Sequence, residues 1–243
     1  MLELATTTEW LMIAATIVVG AAIQGSIGFG MGVFAVPILA LIDPAFVPVP
    51  VLLASIVLSV AGFLRERTDT DFRGAARVLI GRVPGSAIGV VLLTLVTTRT
   101  LSIVIGVMVL LAVVAFARGW HIPVTPTSEV ATGVVSGALG TSTAVGGPPV
   151  ALLYSRNRGP EVRATLSAIL MVGMTVNIIA LGIGGFLTTE SLLRAVVLTV
   201  PTLIGFGLSS WTKRHVDGAI LRRGILIASG FSATTLLVTV LFS

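Results

Sequence analysis

Six apolar runs in this chain are each long enough for a helix that crosses a lipid bilayer. About 30 Å of hydrocarbon takes roughly 20 helical residues, because each residue advances a helix by about 1.5 Å. A chain with so many runs of this length is expected to fold with a bilayer as its main solvent. The predicted membrane helices cover residues 47–64, 74–97, 101–117, 162–187, 192–210 and 219–241.

The composition agrees with this prediction and excludes several classes of function. Hydrophobic residues make up 55% of the chain and charged residues 10%, with a mean hydropathy of +1.09, which leaves too little polar surface for a water-soluble globule. With no cysteine and two histidines, disulfides and thiolate or histidine-rich metal sites are not expected. The basic residues fall mostly in short gaps between apolar runs, a membrane-flanking pattern that does not predict nucleic-acid binding.

Two further apolar stretches, residues 9–42 and 128–154, are too long for one crossing, and glycines interrupt each of them near its middle. Gly25, Gly28 and Pro37 of the first stretch recur at a constant spacing as Gly137, Gly140 and Pro149 of the second. This recurrence indicates an internal repeat, with coincidence in a glycine-rich chain as the alternative. The predicted halves are residues 1–117 and 118–243.

The distribution of arginine favours a hairpin at each interrupted stretch, because short cytoplasmic loops collect lysine and arginine. If each stretch enters and leaves on one side, twelve basic residues lie in the cytoplasm and only Arg99 and Arg194 lie outside. If both stretches crossed the membrane, this bias would nearly vanish. The predicted fold is therefore an all-α integral membrane protein with two inverted repeats, each a re-entrant broken-helix hairpin plus three transmembrane helices. Such an arrangement is typical of transporters.

The two breaks predict a binding site for a small anion. Where a helix restarts after a break, near Gly32 and near Pro148, its free N–H groups and its dipole favour negative charge. Nearby hydroxyl groups can donate hydrogen bonds to an oxyanion. Close helix packing is the alternative role for the glycines. The predicted substrate-binding residues are Gln24, Gly25, Ser26, Gly28, Gly30, Gly32, Arg82, Thr141, Ser142, Thr143, Gly146, Gly147, Pro148 and Asn177.

Three of these residues have two open interpretations. Gln24 and Asn177 carry amides in apolar surroundings, which serve either as contacts between helices or as ligand contacts. Arg82 either faces the pore and attracts the anion, or extends to the cytoplasmic surface beside Arg73 and Arg77. None of the ten acidic residues lies at the centre of a predicted helix, so no carboxylate proton relay is expected.

The first motif, Gln24-Gly25-Ser26-Ile27-Gly28-Phe29-Gly30-Met31-Gly32 followed by Val36-Pro37, and the second, Gly146-Gly147-Pro148-Pro149, resemble those of the sulfite exporter TauE/SafE family of membrane permeases. The resemblance implies a substrate such as sulfite, a sulfonate or sulfoacetate. Two features depart from the family pattern. The chain is somewhat short, and Thr141-Ser142-Thr143 stands where glycine is more usual.

We therefore expect a secondary transporter that moves a small anion across the cell inner (plasma) membrane by alternating access, without a cofactor. The alternatives are an anion channel of the same architecture and a membrane-embedded enzyme, for which the sequence offers no catalytic cluster. Any coupling would use Na⁺ held at the breaks or protonation of the substrate. Both a monomer and a homodimer are compatible with the sequence.

Overall fold

The computed structural model describes residues 7–215 and 218–242, and this part of the chain contains helices and turns but no β-strand. Two one-turn 3₁₀ helices, Pro44–Phe46 and Arg67–Asp69, flank the third of ten α-helices. The α-helices are α1 (Thr7–Ile27), α2 (Met31–Ile42), α3 (Val49–Glu66), α4 (Phe72–Leu95), α5 (Thr98–Ala117), α6 (Pro126–Thr143), α7 (Gly147–Leu153), α8 (Gly159–Ile183), α9 (Thr189–His215) and α10 (Gly218–Phe242).

Seven of the described helices are long and apolar enough to cross a membrane: α1, α3, α4, α5, α8, α9 and α10. Six of them lie where the sequence predicted membrane helices, which confirms those predictions. The seventh, α1, belongs to the first interrupted stretch. That stretch therefore consists of one helix of spanning length and one shorter helix, α2.

Both interrupted stretches fold back on themselves. At the first, the Trp10 ring near the start of α1 contacts the Phe46 ring just beyond α2, with ring centroids 5.8 Å apart. At the second, the Ile122 N–H before α6 donates to the Leu152 carbonyl at the end of α7, at 3.2 Å. Each hairpin thus begins and ends at the same end of the helix bundle.

The two hairpins open beside the starts of different helices. The first hairpin opens beside the start of α3, since only a short turn separates α2 from α3. The second opens beside the start of α4, where Arg77 Nη1 donates to Glu129 Oε2 at 2.9 Å. The start of α4 lies one length of α3, about 27 Å, from the start of α3. The inversion of the second half relative to the first stays a prediction.

Glycine allows the second hairpin to approach α4 closely. A Cβ atom on Gly137 of α6 would lie 2.6 Å from the Arg82 carbonyl oxygen, and one on Gly89 of α4 would lie 2.6 Å from the Ala138 carbonyl oxygen. Both distances are too short for a side chain, so the helix backbones are in direct contact. The most extensive helix pairs are α4 with α6, α1 with α9, and α3 with α8.

Candidate functional site

The chain leaves the helical conformation at the two positions where glycines interrupt the apolar stretches. Between α1 and α2, Gly28 and Gly30 have φ angles of 93° and 121°, which only glycine adopts readily. Between α6 and α7, Ala144 takes the left-handed conformation with φ of 59°. The α2 and α7 helices then start at Met31 and Gly147, as the sequence predicted to within about one residue.

The two breaks lie against each other. A Cβ atom on Gly32 would be 2.5 Å from the Ala144 carbonyl oxygen, so Gly32 has no room for a side chain. A Cβ atom on Gly147 would be 3.5 Å from Phe29 Cβ, which is an ordinary van der Waals distance. The hairpins therefore meet tip to tip, and Gly147 has more room for a small side chain than Gly32 has.

Arg82 lies beside the second break, about halfway along α4, and none of its side chain is exposed to solvent. Its Nη1 donates to the Ser136 hydroxyl of α6 at 3.0 Å. That hydroxyl in turn donates to the Gly146 carbonyl at the break. The arginine is thus linked through one serine to the start of α7, and its full burial excludes the interpretation in which it extends to the membrane surface.

Asn177 of α8 holds the other side of the Arg82 guanidinium. The oxygen of its amide accepts from Arg82 Nη2 at 3.2 Å when the amide nitrogen faces the Gly173 carbonyl and the Ser86 hydroxyl, each at 2.8 Å, and Thr141 Oγ1, at 3.2 Å. In the reverse orientation the amide oxygen would face the Gly173 carbonyl oxygen and the amide nitrogen would face the Arg82 guanidinium, so the neighbours fix the amide. Asn177 therefore connects α8 with both α4 and α6.

Two glycines leave space for the guanidinium. A Cβ atom on Gly173 would lie 2.5 Å from Arg82 Cζ, and one on Gly140 would lie 3.2 Å from Arg82 Nη2. A side chain at Gly173 would displace the guanidinium from its position. We refer to Arg82, Ser86, Ser136, Thr141 and Asn177 as the Arg82 cluster.

The Arg82 cluster contains a positive charge and no carboxylate. Among the described residues, no aspartate or glutamate forms an ion pair with Arg82, and its Nε has no hydrogen-bond partner. Buried charges in proteins are ordinarily paired, because an isolated charge away from water is costly. The cluster therefore has donors available for an anion.

A second group of predicted residues surrounds the end of α1. Arg65 of α3 donates to the Gly25 carbonyl and, through Nη1, to the Ser209 hydroxyl at 3.0 Å. Gln24 Nε2 donates to the Ser59 hydroxyl at 3.4 Å, which is a helix-to-helix contact with α3. The Ser26 hydroxyl donates to the Ala22 carbonyl of its own helix at 2.7 Å and lies 3.5 Å from the Ser209 carbonyl.

The structure therefore divides the predicted site residues into three groups. Arg82, Thr141, Gly146 and Asn177 lie together around the second break. Gln24, Gly25, Ser26 and Gly28 surround the end of α1, and Gly30, Gly32, Gly147 and Pro148 lie at the two breaks, where Gly32 and Gly147 make the contact between them.

The hydroxyls of two predicted site residues bond to their own helix. Ser142 donates to the Ala138 carbonyl at 2.8 Å and Thr143 donates to the Leu139 carbonyl at 2.7 Å. Thr143 Oγ1 also accepts from the Val145 N–H at 3.2 Å, across the break. Both hydroxyls thus bond within α6, and Thr143 also bridges the break to Val145.

Several residues of these clusters were missed by the sequence reasoning. Ser86 follows Arg82 by one helical turn, and Gly173 precedes Asn177 by one turn, so the helical spacing of four would have found both. Ser136, Arg65 and Ser209 carry no such signal, since they come from helices whose neighbours the sequence does not specify.

Glu129 is more buried than its place at a helix start suggested. It lies in the first turn of α6, is 1% exposed and pairs with Arg77. The Tyr154 hydroxyl at the end of α7 lies close by, since a Cβ atom on Gly74 would be within 2.7 Å of both groups. Burial and the Glu129 carboxylate raise the pKa of the Tyr154 phenol, so it stays protonated. The prediction that no acid lies at a helix centre is nonetheless correct for Glu129.

The comparisons with known proteins identify one family. The family described as Sulfite exporter TauE/SafE matches residues 12–236, nearly the whole chain. The chain belongs to the sulfite exporter TauE/SafE family. No curated protein and no solved structure matches the chain. TauE/SafE is a family of transporters and not of enzymes, so this member is a multi-pass membrane transport protein whose family implies a small anionic substrate.

Proposed function

We propose that this TauE/SafE member transports a small sulfur oxyanion, such as sulfite, thiosulfate or an organosulfonate, across the inner (plasma) membrane, and that the anion binds at the Arg82 cluster. The observation that carries the proposal is the buried Arg82 guanidinium, which has no carboxylate partner among the described residues. An oxyanion would supply the missing negative charge.

The donors around Arg82 suit a compact oxyanion. Guanidinium groups bind oxyanions through short, charge-assisted hydrogen bonds, and hydroxyl and amide groups add weaker ones. The cluster offers Arg82 together with Ser136, Thr141 and Asn177, all of them buried. A small ligand is favoured because the surroundings of the guanidinium are closely packed, and even a Cβ atom on Gly140 would lie 3.2 Å from Arg82 Nη2.

The proposed mechanism is alternating access between two inverted repeats. The helix pairs are reciprocal, since α4 on α6 corresponds to α9 on α1, and α4 on α8 corresponds to α9 on α3. The same spacing separates Arg77 from Arg194 and Pro84 from Pro201 in α4 and α9. Because Arg82 is closed off from solvent in this conformation, transport requires other conformations that open the cluster to each side in turn. Coupling to Na⁺ or a proton and assembly as a homodimer stay predictions.

Calorimetric titration of the purified protein with thiosulfate tests the proposed site. We expect Arg82→Gln to weaken binding about a hundredfold, since a hydrogen bond to a charged group contributes about 1.5–3 kcal/mol and each 1.4 kcal/mol is tenfold. Arg82→Lys keeps the charge and should retain part of the affinity. Arg73→Gln, which removes an exposed arginine from the first turn of the same helix, is the control and should change affinity less than about twofold.

Circular dichroism and size-exclusion chromatography establish that each variant is folded. If folded Arg82→Gln protein binds thiosulfate as tightly as the wild type, the anion does not bind at this cluster.

A further inference from the structure

A small pocket beside the first break is separate from the Arg82 cluster. It lies between the end of α1, the end of α3 and the beginning of α8. We call it the Arg65/Arg163 pocket, after the two arginines in its wall. Its other lining residues include Gln24, Gly28, Gly62 and Ser167.

The charged side chains that line this pocket do not balance. Arg163 Nε donates to Glu66 Oε2 at 2.7 Å, and Arg65 Nε lies 3.6 Å from Glu66 Oε1. Two guanidinium groups thus share one carboxylate, which leaves a net positive charge. Arg65 Nε is buried and has no hydrogen-bond partner.

The neutral part of the lining also suits an anion. Gln24, which is only 6% exposed, and Ser167 both line the pocket. Amide and hydroxyl groups are donors for oxyanion oxygens, as guanidinium groups are. Gly28 lets the end of α1 approach α8 closely at this pocket, because a Cβ atom there would lie 2.9 Å from the Arg163 Cα.

The pocket is narrow in this conformation, and one of its walls is better held than the other. Its cavity of about 10 Å³ has room for one water molecule. Arg65 is fixed by the Gly25 carbonyl, by Ser209 and by the Phe206 ring, whose centroid lies 4.5 Å from Arg65 Cζ. Both arginine side chains are about a quarter exposed, and Arg163 is held by its ion pair with Glu66 without the carbonyl, hydroxyl and ring contacts that fix Arg65, so it is the side chain that can swing outward.

We propose that the Arg65/Arg163 pocket is a second oxyanion-binding site, which an anion occupies on its way to or from the Arg82 cluster. This inference rests on the proposed function. Both sites adjoin α8, and Arg163 precedes Gly173 by ten residues, so they lie about 15 Å apart along that helix. The topology predicted from the arginines puts the pocket on the cytoplasmic side.

The competing explanation is that Glu66 and Arg163 only tie α3 to α8. The two explanations differ in the sign of one effect. If the ion pair is structural, Glu66→Gln and Arg163→Gln both break it and act alike. If the pocket binds an anion, Glu66→Gln removes the competing negative charge and strengthens binding, whereas Arg163→Gln weakens it.

The test is thiosulfate titration of the full chain in lipid nanodiscs at low ionic strength, in wild-type and Arg82→Gln backgrounds. We expect the wild type to show two affinities and Arg82→Gln to retain the weaker one. In the Arg82→Gln background, Glu66→Gln should tighten thiosulfate binding about tenfold, the effect of removing one unit charge near a partly exposed site. Glu161→Gln is the control, because it makes the same charge change at a carboxylate that accepts a hydrogen bond from Asn157 instead of from the pocket arginines. It should change thiosulfate affinity by at most about twofold.

The outcomes separate this inference from the proposed function. Unchanged or weaker binding in folded Glu66→Gln protein would overturn the second site, while loss of the tighter affinity in Arg82→Gln protein would still support the first. Absence of thiosulfate binding in every protein, the wild type included, would overturn both.

Discussion

Replacing Asn177 with aspartate places a carboxylate beside the Arg82 guanidinium with almost no change in shape. The Asn177 amide oxygen already lies 3.2 Å from Arg82 Nη2, so the aspartate would form a buried ion pair there. The protein would then contain the counter-ion that we propose the substrate supplies. Anion binding at the Arg82 cluster should be lost, although Arg82 itself is unchanged.

The size of the effect follows from Coulomb's law. Two unit charges about 4 Å apart interact by about 4 kcal/mol at an effective dielectric constant of about 20. A bound anion would lose attraction of this order, which corresponds to about a thousandfold in affinity. Folding should survive, because the new ion pair offsets the hydrogen bond lost by the Gly173 carbonyl, and each effect is about 1–3 kcal/mol.

Thiosulfate titration with a melting curve measures both quantities on the same sample. Asn157→Asp is the matched control, since it makes the same chemical change in the loop before α8. We expect thiosulfate to bind Asn177→Asp more weakly by about two orders of magnitude or more, and to bind the control as tightly as the wild type. Wild-type affinity in a folded Asn177→Asp protein would refute the reasoning, because no anion can bind next to a neutralised Arg82 as tightly as before.

Three further predictions concern other parts of the molecule. A single cysteine at Asn157 should resist an impermeant thiol reagent added outside, whereas one at Asp43 should react; external labelling at Asn157 would exclude the double hairpin. Gly147→Leu should abolish the tighter thiosulfate affinity with near-normal folding, since Gly147 has room for a Cβ atom. Gly106→Leu should instead lower the melting temperature, since its Cβ would lie 2.6 Å from Leu237 Cγ, and the reverse pattern would place the site elsewhere. Glu129→Gln should lower stability by about 2 kcal/mol through its broken pair with Arg77, yet leave transport by the folded protein intact; abolished transport would show that this acid takes part.

The architecture was more predictable from the sequence than the site. Helix length and glycine breaks are local properties, and they were sufficient to predict the six membrane helices and both restarts. The repeat was harder to align, because Gly25 lies in the last turn of α1 while Gly137 lies well before the end of α6. Matching glycines therefore indicated the two broken stretches but did not give their structural equivalence.

The contacts of Arg82 depend on tertiary packing, which a single sequence does not determine. Its depth was open between pore and surface, because the sequence does not say where α4 meets its neighbours. Ser136 of α6 accepts a hydrogen bond from Arg82 Nη1, and Asn177 of α8 accepts one from Arg82 Nη2. These two contacts hold the guanidinium inside the helix bundle. Glu129 shows the same limit, since a helix start usually lies near water and this one is covered by Tyr154 and α4.

The central claim, that the chain carries a sulfur oxyanion by alternating access, is tested most directly by thiosulfate counterflow in proteoliposomes. Vesicles loaded with unlabelled thiosulfate and diluted into a trace of the labelled anion should accumulate label transiently, because a carrier returns loaded from each side. Vesicles that contain Arg82→Gln protein should not accumulate it. Label uptake that only equilibrates, at rates far above carrier turnover, would indicate a channel. No uptake of thiosulfate, sulfite or sulfoacetate by folded wild-type protein would contradict the claim.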